Sequence, residues 1–204
     1  MTTLAEFRTE ILETAGLADD DARFPSATLN RMINRGLRSL SAEHVWPWQD
    51  ASETINTVAD TGSYTPNAAW VRTKRLTAKG RDLVEMHPES ALPYLDGSGA
   101  PIGYFIEEDE IHFVPVPDGA YAVTHVYESE EPTLSADGDS PLLPERYTDW
   151  LVFTVLVQVA TRLRDSELYQ IADRERGKWF RRASDEVRRS TGGLVVRGRS
   201  DWTV

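Results

Sequence analysis

Four histidines, His44, His87, His112 and His125, are the side chains best suited to metal binding or proton transfer, and they are scattered along the chain. No HxH or HxxxH spacing sets two imidazoles on one face of a strand or helix. His112 and His125 could approach on neighbouring strands, where a hydrogen-bonded sheet histidine is the simpler reading than a metal ligand. Asp19, Asp20 and Asp21 could form a cation loop, although three adjacent carboxylates more simply make a solvated turn. Glu107, Glu108, Asp109 and Glu110 read as charge at a hairpin. Asp137-Gly138-Asp139 lacks the remaining ligands of a calcium loop. The chain has no cysteine, which excludes disulfides, thiolate metal sites and cysteine nucleophiles. A Gly-x-Ser-x-Gly elbow is absent. Gly97-Ser98-Gly99-Ala100-Pro101 lacks the Lys-Ser/Thr ending and the following helix of a phosphate loop. The expectation is a protein with no catalytic, cofactor-binding or metal site, and no enzyme.

Two other patterns could bind rather than react. Trp46-Pro47-Trp48 could form a platform for a peptide or sugar, or plug the seam between a helical part and a sheet, since Trp buries so much area. Arg174, Arg176, Lys178, Arg181, Arg182, Arg188 and Arg189 line one face of a C-terminal helix. That face could bind phosphate or an acidic neighbouring subunit. Asp173, Glu175, Asp185 and Glu186, interspersed among the cations, fit a solvated face as well. Both readings stay open.

The formal net charge is −11, from 33 acidic against 22 basic residues, and about half of the basic ones follow Ala160. Such acidity argues against a protein that grips nucleic acid, which needs a cationic surface. It suits a surface that DNA must pass without sticking, and it also suits plain solubility. The N-terminus lacks a basic, apolar, small-residue signal pattern, so a cytoplasmic origin is expected.

The elements that would position these residues fall into three stretches. Thr3-Leu4-Ala5-Glu6 fits a capping box, with Leu4, Phe7, Ile11 and Leu12 as the stripe behind it and Gly16 as the stop. Ser26 is expected to cap a second helix, in which Leu29, Met32, Ile33, Gly36, Leu37 and Leu40 form an amphipathic face. From Ser52 to Glu128 the period changes to two, giving about six short strands of a small antiparallel sandwich or barrel, with a helical or irregular link from Pro88 to Leu95. Pro141–Leu163 is the organising segment. Pro144 suits the first turn of a helix, and Trp150 to Ala160 is apolar almost all round. Length and the proline favour helix, although the β-branched run also fits a buried strand. A helix apolar on every side needs cover on every side, some of it possible only from other subunits. The run is too short, and bracketed too closely by Asp149 and Arg162, for a membrane span. A last helix carries Leu168, Ile171, Ala172, Trp179, Ala183 and Val187 to Gly192-Gly193. The remaining tail has strand-forming residues and an apolar anchor but nothing of its own to pair with, so a strand added to a neighbour's sheet edge, with Trp202 in a pocket, would order it.

Read in order, these pieces resemble the bacteriophage head-to-tail adaptor (connector, head completion) family. The resemblance is carried by the asparagine-containing second helix closing on Trp46-Pro47-Trp48, by Gly62-x-Tyr64-x-Pro66 and by Gly99-Ala100-Pro101-Ile102-Gly103-Tyr104. It continues through Ile111 to Pro117, through Tyr127 with Pro132 and Leu134, and through Leu142-Leu143-Pro144-Glu145-Arg146-Tyr147 leading into the apolar helix. Membership implies a structural, non-enzymatic adaptor in the virion neck, assembled in the host cytoplasm. It implies a dodecameric ring bound to the portal protein and to a tail or stopper (nozzle) protein, with phage DNA passing through and no membrane contact. The fold expected is α+β: a four-helix bundle-like domain from residues 1–48 and 136–191, interrupted by a small antiparallel β domain at 49–135, with a C-terminal extension at 192–204. Leu194, Val195, Val196, Arg197, Arg199 and Trp202 are the portal-binding candidates of that tail. Phe153, Leu156, Val157, Trp179, Arg181 and Arg182 are the candidates for the subunit interface. The alternative is a non-enzymatic binding module whose β domain grips carbohydrate or a host protein through Trp46, Trp48, Trp70 or Tyr104.

Overall fold

The computed structural model describes residues 2–190 of the chain. Its helices are α1 (Leu4–Thr14), α2 (Ser26–Glu43), α3 (Pro88–Leu95), α4 (Thr148–Leu163) and α5 (Ser166–Ser190). The strands are β1 (Asp50–Asn56), β2 (Ser63–Tyr64), β3 (Trp70–Ala78), β4 (Arg81–Asp82), β5 (Val84–Glu85), β6 (Gly103–Glu107), β7 (Glu110–Val114) and β8 (Ala122–Ser129). The architecture is mixed α+β, with five helices and two small sheets among the described residues. Two compact units result, one from Met1–Trp48 with the chain from Thr133 onward, the other from Gln49–Pro132.

In the helical unit, local chemistry closes several helix ends. Thr3 accepts the Glu6 N–H (3.4 Å) while the Glu6 carboxylate accepts the Thr3 N–H (2.7 Å), the reciprocal capping box. The next two orphan donors, the N–H groups of Leu4 and Ala5, reach the carbonyls of Asp139 (2.8 Å) and Asp137 (3.1 Å). At the other end Gly16 takes φ +66°, and the Gly16 and Leu17 N–H groups bond back to Glu13 and Leu12, a Schellman closure. The start of α2 departs from expectation. Pro25, with φ −59° and ψ 151°, is the junction residue and Ser26 already lies inside the helix, so no side chain caps it. Pro144 likewise precedes a single 3-10 turn, Glu145–Tyr147, rather than the first turn of α4. Arg164 turns the chain in the left-handed region (φ 58°), and the Asp165 carboxylate accepts the N–H groups of Glu167 (3.0 Å) and Leu168 (2.9 Å) to start α5.

The β-branched run of α4 is helical because its neighbours bury it. Trp150, Leu151, Val155, Leu156, Val159 and Ala160 are completely enclosed by residues of the same chain, among them Leu4, Phe7 and Ile11 of α1 and Ile33 and Leu37 of α2. Each fully buried aliphatic side chain contributes about 1.5–3 kcal/mol. The expectation that other subunits must cover this helix is therefore corrected: most of its cover comes from within. Gly36 lets α2 and α4 approach closely, since a Cβ there would sit 3.1 Å from Leu151 Cδ1. Buried Asn34 clasps the returning chain. Its Oδ1 accepts the Leu134 N–H (2.8 Å) and its Nδ2 donates to the Leu134 carbonyl (2.9 Å), a side chain acting as a strand partner. Trp46 stacks on Trp48 (4.7 Å), packs edge-on to Trp150 and donates its indole N–H to the Leu40 carbonyl (2.8 Å).

The β unit has eight strands rather than about six, and β2, β4 and β5 are only two residues long. They form two four-stranded sheets, ordered β1-β8-β3-β4 and β2-β7-β6-β5. Pairing is antiparallel except between β5 and β6, which run parallel, a departure from the all-antiparallel expectation. The sheets share a core of Ile55, Leu76, Tyr104, Ile111, Phe113 and Val123, while Ala91 of α3 packs with Phe105 and Val114. The Val114–Pro115 peptide bond is cis. Two hairpins use two-residue turns with both residues at positive φ: Lys79-Gly80 between β3 and β4, and Glu108-Asp109 between β6 and β7.

Candidate functional site

The chemistry-bearing residues do not converge into a reactive centre among the described residues. His112 lies on β7 and His125 on β8, strands of different sheets, because residues 115–121 carry the chain across; they are not neighbours as expected. His112 stacks on Phe105 at 4.7 Å. His125 is fully buried, with Nδ1 2.9 Å from Glu53 Oε1 and Nε2 3.0 Å from Thr73 Oγ1. Hydroxyl, imidazole and carboxylate in a row have the order of a nucleophilic relay. Here Thr73 Oγ1 also accepts the Trp70 indole N–H (3.1 Å), and the imidazole meets no solvent, so the row stitches β1, β8 and β3 together. No group of three His, Cys, Asp or Glu side chains among the described residues is placed to hold a metal ion. Asp139 folds its own loop, accepting the Ser135 and Ala136 N–H groups (2.7 and 2.8 Å), which hold its carboxyl below the ordinary value; Asp137 pairs with Arg8.

A surface groove is present instead, on an open flank of α4. Between α2 and α5 a groove of about 470 Å³ is lined by Thr154, Val157, Gln158 and Thr161 of α4. Met32, Arg35 and Ser39 of α2 form one wall; Arg162 and, from α5, Arg176 complete the lining. The helix period explains the grouping, since 154, 157, 158 and 161 share one face of α4. The polar floor is already satisfied. Thr154 and Thr161 donate to the carbonyls of Trp150 and Val157 (2.7 Å each), and Gln158 donates to that of Met32 (3.3 Å). What remains for a ligand is apolar surface from Met32 and Val157 and the donors of three guanidinium groups. Arg176 is shared with Asp173 (3.0 Å), and Arg162 lies over the Phe24 ring at 5.4 Å. Arg35 forms no ion pair among the described residues. Glu43, farther along α2, has its carboxyl raised by partial loss of water and drawn partway back by Arg176. Such a lining suits an anionic group with an apolar shoulder.

The expected interface residues divide accordingly. Val157 lines the groove and Phe153 is half-buried, whereas Leu156 is fully buried within its own chain and offers no surface. Trp179 is half-buried under the Arg182 guanidinium (4.8 Å), and Arg181 and Arg182 are exposed. Lys178, Arg174 and Arg176 are tied to Glu175 or Asp173 on the same helix. The tail candidates Leu194, Val195, Val196, Arg197, Arg199 and Trp202 lie outside the described residues. For the alternative platform, Trp46 and Tyr104 are only 1% and 4% exposed and present no face to a ligand, while Trp48 and Trp70 are half-buried. Burial pushes the Tyr104 hydroxyl up to about 12, assisted by Glu85. Sequence reading missed the convergence of Arg35, Arg162 and Arg176, which only tertiary packing brings about. It took Asn34 only as part of the asparagine-containing second helix and gave its amide no role. No helix among the described residues is long and apolar enough to cross a membrane.

Compared with known proteins, the chain matches the family described as SU10 adaptor protein over residues 2–201. No curated protein matches it. Because the family match runs almost end to end and takes in both units, the chain belongs to the SU10 adaptor protein family, and its role is that of a structural phage adaptor.

Proposed function

We propose that the chain forms a ring beneath the portal of a tailed phage, joining capsid to tail and lining the channel through which DNA passes. Twelve copies make the ring. The helices of residues 1–48 and 136–191 form a four-helix bundle-like body, residues 49–135 form the β domain, and 192–204 form an extension that reaches the portal. The observation that carries the reading is the open flank of α4. On a helix whose other apolar residues between Trp150 and Ala160 are buried, Phe153 and Val157 stay half-covered and Val157 faces a groove between α2 and α5. Half-open apolar surface beside exposed Arg181 and Arg182 fits a contact between subunits. The net charge of −11 lets a duplex slide past without counterion exchange at each step. The tail supplies strand-forming and apolar anchors for a portal cleft, and a tail or stopper protein would meet the opposite face, placing the protein in the virion neck after assembly in the host cytoplasm. Pull-down with portal tests the tail. Deleting residues 193–204 should abolish binding while the circular dichroism spectrum and melting temperature stay those of the full chain; undiminished binding would remove the tail from the account.

A further inference from the structure

We infer that the arginine-rimmed groove of one copy receives the β6–β7 hairpin tip of the next copy. This rests on the ring reading and names the surfaces that would meet. Charge is the first argument. Gln49–Pro132 holds fifteen acidic residues against five basic, and the rest of the chain eighteen against seventeen, so nearly all of the net −11 resides in the β unit. Within that unit the densest negative charge is Glu107-Glu108-Asp109-Glu110 at the hairpin tip, and none of these carboxylates is in an ion pair among the described residues. The groove offers the complement: Arg35, Arg162 and Arg176, with no carboxylate in its lining. Shape and polarity agree as well. A two-residue hairpin turn makes a narrow, polar tip for a groove of about 470 Å³ lined by guanidinium groups. The two surfaces differ, so the contact is head-to-tail and repeats from copy to copy until a ring closes. A nucleic acid backbone is the other anion of matching charge, but it would have to approach a chain of net −11.

The native chain has no cysteine, so engineered thiols report the contact cleanly. Ser39→Cys places one on the groove wall and Glu107→Cys one at the hairpin tip. Ala120→Cys, beyond the opposite end of β7, is the control. Oxidising a concentrated mixture of the S39C and E107C chains should give a disulfide dimer about tenfold above the S39C and A120C mixture, with the excess falling as salt rises. Arg35→Glu with Arg162→Glu in the S39C chain should return the yield to control, as should Glu108→Lys with Asp109→Lys in the E107C chain; joining both reversals should restore it. All substituted residues are exposed, and melting curves verify that the variants fold. Yields equal to control, or reversals without effect, overturn the contact. So does a groove reversal that leaves cross-linking intact but weakens retention of duplex DNA or of portal. Normal ring assembly by the groove-reversed chain would sink this contact and leave the ring standing. A wild-type chain that never associates, alone or on portal, would sink both.

Discussion

In the helical unit opposite charges nearly cancel, and one core gathers side chains from four helices. In the β unit fifteen acidic residues stand against five basic ones and the apolar interior is split in two. All five basic residues of the β unit fall between Arg72 and Arg81, on β3, β4 and the turn that joins them. Unbalanced charge destabilises a compact body by self-repulsion while keeping it soluble and steering its partners. The contrast separates two tasks: the helical unit is built to hold its shape, and the β unit carries the charge by which it is kept apart from, or drawn to, other surfaces. Within the β unit, its two matching hairpin turns differ at single-residue scale. Lys79-Gly80 spends a glycine where positive φ is needed, whereas Glu108-Asp109 places two acidic side chains in the same strained conformation, at φ 50° and 61°.

The comparison breaks most sharply at Trp150. This ring is fully buried against Trp46 and Phe180. Trp150→Ala should cost the helical unit about 3–5 kcal/mol in urea unfolding while hydrogen exchange in the β strands changes little. Trp150→Phe should cost much less, since the indole N–H has no partner to lose. Equal loss of protection in both units would mean that they unfold as one. Next comes Gly103→Ala in the β unit. An added Cβ would stand 2.9 Å from the Val84 carbonyl oxygen and 2.5 Å from Met86 Cε, so β5 must shift away from β6 at a cost of about 1–3 kcal/mol.

Smaller effects sharpen the contrast between the turns. Asp109→Gly should stabilise the β unit by about 0.5–1 kcal/mol, read as a raised melting temperature, because glycine accepts positive φ without a steric penalty. Gly80→Ala should do the opposite at the sister turn. In the helical unit the acid limb of stability should depend on Asp139. Its folded carboxyl is held below the ordinary value by the Ser135 and Ala136 N–H groups, so its contribution is complete above that ordinary value and is lost as pH falls through the folded one. Asp139→Asn should therefore lower stability at neutral pH and flatten the decline below the ordinary carboxylate range. An unchanged acid slope would contradict this.

Short-range chemistry was the legible part of the chain. The capping box at Thr3 and Glu6, the Gly16 stop and the apolar stripe of α2 all act within one or two turns, and each is present. Where two local signals competed, the reading slipped: Ser26 follows a proline whose fixed φ makes Pro25 the junction instead. Trp150 to Ala160 carries β-branched residues that fit strand or helix; length and the proline favour helix, and packing against α1, α2 and α5 holds it. The division of residues 81–85 into the two short strands β4 and β5 has no period to detect, and the placement of His112 and His125 in separate sheets depends on a crossing that no pattern encodes. The groove was least legible of all. Arg35, Arg162 and Arg176 are ordinary surface residues of three different stretches until the fold brings them together.

Mass photometry of the chain, alone and after addition of purified portal rings, tests the adaptor reading most directly. The account predicts a discrete portal-bound species carrying a full ring of copies, twelve for a dodecameric portal. Portal particles that gain no mass, with the chain remaining a single-copy species at every concentration, would contradict it.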